Sequence, residues 1–143
     1  MKKFIIGGVI VIVLLVGGSY FSRSLSGDKG NPNIIAQKGI HWHPKLEIYV
    51  KGELQQIPES IGLGAVHQPI HTHSEDAAQG VLHLEFSGRV TKDDVKLGNF
   101  FKNWGKDMSE FGSAMTMTVN GKENTEFGSY AMADGDKIVM KFE

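Results

Sequence analysis

The sequence predicts an α+β domain: a mixed or antiparallel sheet of about five strands with one packed helix, in the order β-β-β-α-β-β, preceded by one membrane-spanning helix. Three observations carry this. Apolar residues alternate with period two in several short stretches between 46 and 142. A single stretch, 91–105, shows helical spacing with start and stop signals. The segment FIIGGVIVIVLLVGGSYF (4–21) carries no charge and is long enough to cross a bilayer.

The chain divides into three parts. Residues 1–21 form an N-terminal membrane anchor or a cleaved signal segment. Lys2 and Lys3 precede the apolar run, so the positive-inside rule leaves them in the cytoplasm and sends the rest of the chain across the membrane. Gly17 and Ser19 are small enough for signal cleavage, and both readings deliver the domain outside the cytoplasm. Residues 22–39 are polar, with Ser, Gly, Asn and Pro32, which reads as a flexible linker. Residues 40–143 are the folded domain.

Within that domain Leu46, Ile48 and Val50 alternate with Lys45, Glu47 and Tyr49. The turn Lys51-Gly52-Glu53 returns the chain as a second strand, 54–57, ended by Pro58. Residues 59–80 lack periodicity and contain Gly62, Gly64, Pro69 and Gly80, which reads as a long loop of the functional kind. Leu82, Leu84 and Phe86 share one face of the next strand, 81–86, and His83 and Glu85 the other. The helix spans 92–104, with Thr91 as N-cap, acidic residues in its first turn and Gly105 as its stop. Its apolar face, Val95, Leu97, Phe100, Phe101 and Trp104, is expected to pack on Leu82, Leu84 and Phe86. Met115, Met117 and Val119 alternate into the hairpin signal Asn120-Gly121. Asp136 to Phe142 forms the last strand and buries Ile138, Met140 and Phe142.

Composition removes several function classes. The chain has no cysteine, so disulfides, thiolate metal sites, iron–sulfur clusters and thiol catalysis are excluded. A net charge of −1, more acidic once Lys2 and Lys3 are set aside, argues against a nucleic-acid surface.

The chemistry concentrates in one region. The protein has six histidines, all between His41 and His83. His41 and His43 are two apart, as are His71 and His73, and each pair shares a face of an extended segment. Paired imidazoles suit Zn²⁺, Cu²⁺, Ni²⁺ and non-haem iron. These four histidines are the predicted ligands of a divalent transition metal, copper or zinc. His67, His83, Glu75 and Glu85 are additional ligands or groups that orient a ring nitrogen, and Asp76 follows Glu75 in the same acidic loop. Met115-x-Met117 offers thioethers for Cu(I), but its alternation with threonines reads as core. Trp42 and Trp104 read as packing anchors.

The blocks HWHPKLEIYVKGELQQIPESIGLG (41–64), PIHTHSEDAAQGVLHLEF (69–86) and KLGNFFKNWG (96–105) resemble a group of small, membrane-anchored, extracytoplasmic His-rich domains of bacteria and archaea. The resemblance covers most of residues 40–143. It implies a shared domain whose histidine blocks are its most distinctive feature, and it implies no particular activity. The tail TVNGKENTEFGSYAMADGDKIVMKF (118–142) resembles the end of β-grasp domains, where an NGK turn and a DGD turn flank the last strands. Cupins also use His-x-His followed by Glu, but here Glu75 comes only two residues after His73 and no second cupin block is present.

The sequence supports three functional readings. One is an extracytoplasmic metal-binding module, a copper or zinc carrier, buffer or sensor, held by 4–21 in the membrane. The second is a cell-surface interaction domain with a structural metal or none. The third is a metal-dependent enzyme with Glu75 or Glu85 as general base, although no signature names a reaction.

Overall fold

The structure, a computed structural model, describes residues 30–143. The segment 4–21 and most of the expected linker lie outside the described residues. No helix among those described is long and apolar enough to cross a membrane.

Ten strands and one α-helix succeed one another in residues 34–142: β1 (Ile34–Ala36), β2 (Ile40–Trp42), β3 (Lys45–Val50), β4 (Glu53–Gln55), β5 (Ile70–His71), β6 (His83–Phe86), β7 (Val90–Thr91), α1 (Leu97–Trp104), β8 (Met115–Val119), β9 (Lys122–Glu123) and β10 (Lys137–Phe142). Short 3-10 turns lie at Ala77–Gln79, Met108–Phe111 and Phe127–Ser129.

The main sheet has the order β4-β3-β10-β8-β9. Its central pair, β3 and β10, runs parallel, with Leu46 beside Ile138, Ile48 beside Met140 and Val50 beside Phe142. The other neighbours are antiparallel. Alternation places Leu46, Ile48, Met117, Val119, Ile138, Met140 and Phe142 on one face, and all are buried. Leu97, Phe100 and Phe101 of α1 are buried in the same core. Met117 is therefore a core residue, as its alternation with threonines implies.

Hairpin chemistry is local and correctly legible. Asn120 and Gly121 both have positive φ, 52° and 78°, the conformation that matches strand twist in a two-residue turn. Gly105 adopts the left-handed conformation that ends α1.

The structure departs from the sequence expectation in four places. First, Ile34–Ala36, expected within the linker, is a strand: Ile34 pairs with Thr91 and Ala36 with Val90. Second, α1 begins at Leu97 rather than 92. The Thr91 N–H and hydroxyl both donate to Asp94 Oδ2, at 2.7 and 2.6 Å, closing a tight turn instead of capping a helix. Val95 O then accepts from Met132 N at 3.1 Å and Lys96 bridges to Ala131, so this backbone is extended and its polar groups are engaged elsewhere. Third, the long loop contains β5 and a 3-10 turn. Its backbone is tied by Ser60 N donating to Thr72 O and Thr72 N to Ile61 O, both at 3.1 Å.

Fourth, β6 does not join the main sheet. It is the centre of a separate three-stranded antiparallel sheet, β2-β6-β5. One edge of β3 is taken by β10 and the other by β4 along Ile48–Val50, so contact with the chain before β6 is limited to a bridge between Lys45 and Val81. Between β2 and β3 stands Pro44, which has no N–H to offer a ladder; its carbonyl accepts from Leu82 N at 2.9 Å. The chain bends there, and β2 pairs with β6 instead.

Candidate metal centre

The small sheet presents its two faces to different surroundings. Leu82 and Leu84 are fully buried in the core, so His83 and Glu85, one residue out of phase, face the other way. Antiparallel register sets His41 opposite Glu85 and His71 opposite His83. His41, His71, His83 and Glu85 therefore share one face. His43 and His73 lie two residues beyond their partners and continue the same side.

The six rings form one continuous chain. Centroids are 4.4 Å apart for His67 and His71, 4.7 Å for His71 and His73, 4.5 Å for His73 and His83, 4.8 Å for His83 and His43, and 4.7 Å for His43 and His41. Their ligand-type atoms fall into two groups, each lying within 4.8 Å of one another: His71, His73, His83 and Glu85, and His41, His43 and His83.

His71 is the best-defined member. It is fully buried. Its Nδ1 lies 3.0 Å from Gln68 O, which takes the ring proton and leaves the Nε2 lone pair facing the cluster. Burial lowers its pKa, a backbone hydrogen bond to Gln68 opposes this, and the neighbouring His67 and His73 lower it further. The net lowering, which Glu85 also opposes, favours the neutral ring, the form a metal requires. Its Nε2 lies 3.0 Å from His73 Nε2 and 3.4 Å from His67 Nε2. Nitrogens about 2.0–2.1 Å from a tetrahedral zinc stand roughly 3.3 Å apart, so these spacings suit a common ion.

Local backbone explains why His67 reaches His71. Gly62 has φ of 74°, and a Cβ there would stand 2.7 Å from Ile70 O and 3.2 Å from His71 Cβ. Glycine alone lets the 60–68 loop lie flat on β5. Gln68 N donates to Gly62 O at 2.8 Å, and Leu63 bridges to His67.

His83 is held from its outer nitrogen. Nε2 lies 2.9 Å from Asp76 Oδ2, the carboxylate–histidine arrangement that orients metal-binding rings. Its Nδ1 is buried, has no hydrogen-bond partner among the described residues and lies 3.8 Å from Glu85 Oε1. The same carboxylate oxygen is 3.1 Å from His41 Nε2. His43 is anchored through its backbone N–H, which donates to Asp134 Oδ1 at 2.8 Å.

Each residue singled out in the sequence thus has a definite place. His71, His73, His83 and Glu85 converge, and His41 and His43 meet the same His83. The two His-x-His pairs do not close on each other as a set of four; they fall in separate groups with His83 in common. His67 joins the inner end through His71. Glu75 is exposed and belongs to neither group; its neighbour Asp76 makes the contact. The sequence expectation named Glu75, with Asp76 only its neighbour in the acidic loop; the 3-10 turn that begins at Ala77 turns Asp76 toward His83 instead. The part of Gln68 was invisible in sequence, since it acts through its backbone carbonyl.

Comparison of the chain with protein-family models, with curated proteins and with solved structures finds no match.

Proposed function

We propose that this protein is an extracytoplasmic metal-binding module, a carrier, buffer or sensor for copper or zinc. The observation that carries the reading is the inner group: buried His71, its Nε2 3.0 Å from His73 Nε2, with His83 and Glu85 beside it. Imidazole-rich sets with one carboxylate suit zinc and copper and are poor sites for calcium or magnesium. The charge-free segment 4–21 behind Lys2 and Lys3 supports a single-pass anchor with the domain outside the cytoplasm. The hairpin–helix–hairpin order, with the last strand parallel to the first strand of the main sheet, supports the β-grasp-like reading of the scaffold. The histidine blocks remain the basis for grouping the chain with the membrane-anchored His-rich domains.

An exchangeable ion fits better than a structural staple. The apolar core is built from the main sheet, α1 and the leucines of β6, and the histidines lie on the opposite face of the small sheet. Burial of that core is the dominant stabilising term and does not pass through the cluster.

The test is elemental analysis of the full chain, purified in detergent without a histidine tag, and titration with Cu²⁺, Zn²⁺ and Ni²⁺. Tight binding of copper or zinc is expected. His71→Ala with His73→Ala abolishes it, and His67→Ala alone does less. EDTA is expected to remove the ion while leaving the far-UV circular dichroism unchanged. A double variant that binds as tightly as the parent refutes the reading.

A further inference from the structure

The two ligand groups share one residue, His83, and its chemistry limits how they are used. Asp76 engages Nε2. Nδ1 is the remaining nitrogen, buried and without a hydrogen-bond partner among the described residues. One nitrogen lone pair binds one ion. The two groups therefore compete for the same donor, although each contains it.

Exposure differs along the cluster, and His67 beyond His71 is exposed as well. His41 and His43 are exposed, His73 and His83 are partly buried, and His71 is fully buried. The His83 ring is 4.8 Å from His43 on the outer side and 4.5 Å from His73 on the inner side. Glu85 Oε1 spans the same junction, 3.1 Å from His41 Nε2 and 3.8 Å from His83 Nδ1. An ion bound to His83 thus has a nitrogen pair on either side, one in water and one under cover.

We infer that the cluster is a two-stage path for a single ion, taken up at the surface by His41, His43 and His83 and passed inward to His71 and His73 while His83 Nδ1 stays bound. The inference rests on the metal-binding reading above and adds to it the route of loading and release. In the transfer, bonds from the ion to the His41 and His43 nitrogens break as bonds to the His71 and His73 Nε2 atoms form. The charge on the ion does not change; the proton between those Nε2 atoms moves by way of water to His73 Nδ1, so that ring stays neutral, and water takes the place of the ion at His41 and His43. The inner group holds the ion at rest because it offers three imidazoles and a carboxylate, a full tetrahedral complement. The outer group offers two exposed imidazoles and the partly buried His83.

The test uses the full tag-free chain in detergent with Zn²⁺ delivered from a chromophoric chelator. Equilibrium competition reads stoichiometry and affinity, and stopped-flow mixing reads uptake and release. The parent is expected to bind one zinc per chain. His41→Ala with His43→Ala is expected to slow uptake and release alike, by about tenfold each, through loss of the locally concentrated entry pair. Affinity then moves far less than either rate. His71→Ala with His73→Ala loses tight binding but keeps a weak site. Far-UV circular dichroism checks the fold of both variants. Two zinc ions per chain at saturation would overturn the inference, as would unchanged uptake in the outer-pair variant or an affinity loss as large as its rate loss. Each of those outcomes leaves metal binding standing; only a parent that binds no metal removes both.

Discussion

Asp76 is the most informative residue to perturb, because it touches the cluster through a single contact. Its Oδ2 lies 2.9 Å from His83 Nε2, with side-chain exposures of 26% and 13% for the aspartate and the histidine. It holds the Nε2 proton, which keeps the Nδ1 lone pair available and the ring in place. Loss of such a partner typically costs 10–100-fold in metal affinity, or about 1.4–2.7 kcal/mol. The partial exposure of Asp76 lets water take over part of its role, so Asp76→Ala is expected near the lower end, roughly tenfold to thirtyfold. Asp76→Asn keeps an oxygen that can accept from Nε2 but removes the charge, and its loss is expected to be only a few-fold. The local turn should survive both changes, because Gln79 N and Val81 N bond the Asp76 backbone carbonyl at 2.9 and 3.4 Å rather than its side chain. Competition against a chelator of known zinc affinity, with far-UV circular dichroism as the fold control, measures the series. Affinity equal to the parent in Asp76→Ala, or a larger loss in the asparagine variant than in the alanine variant, refutes the reasoning.

Three other outcomes are expected. Phe101→Ala removes a ring that is 2% exposed and should cost about 3–5 kcal/mol in urea denaturation; a loss below about 1 kcal/mol contradicts its place in the core. Gly80→Ala puts a Cβ 2.2 Å from Leu46 O at a residue with φ of 76°, so a loss of about 1–3 kcal/mol is expected, together with weaker metal binding through the displaced Asp76 turn. The metal-free protein should lose stability as pH falls below about 6.5, where the unfolded chain takes up a proton that His71, its pKa lowered chiefly by burial, does not. Thermal melts between neutral and mildly acidic pH should show a shallower acid limb in His71→Leu; identical slopes would show that His71 titrates normally.

What could be read from the chain alone was whatever depends on neighbours in sequence. Alternation along 45–50, 115–119 and 137–142 sorts core from surface because side chains in a strand point to opposite sides. Asn120-Gly121 and Gly105 disclose a turn and a helix stop because their positive φ is a local property. The His-x-His spacing told which histidines share a side, and the region from 41 to 83 was identifiable as the seat of chemistry. Tertiary structure decided the rest, since pairing partners are chosen by edges and packing that no local pattern records. The parallel pairing of β3 with β10 left β6 to find β2 and β5, and this register alone set His83 between the two histidine pairs. The start of α1 was displaced by a side-chain bond from Thr91 to Asp94 and by backbone pairing with 131–132. Asp76 rather than Glu75 meets His83 because a left-handed Gly80 closes the turn before β6. Spacing can bring ligand types to one side of a strand; only the folded chain fixes which nitrogen of which ring faces the next.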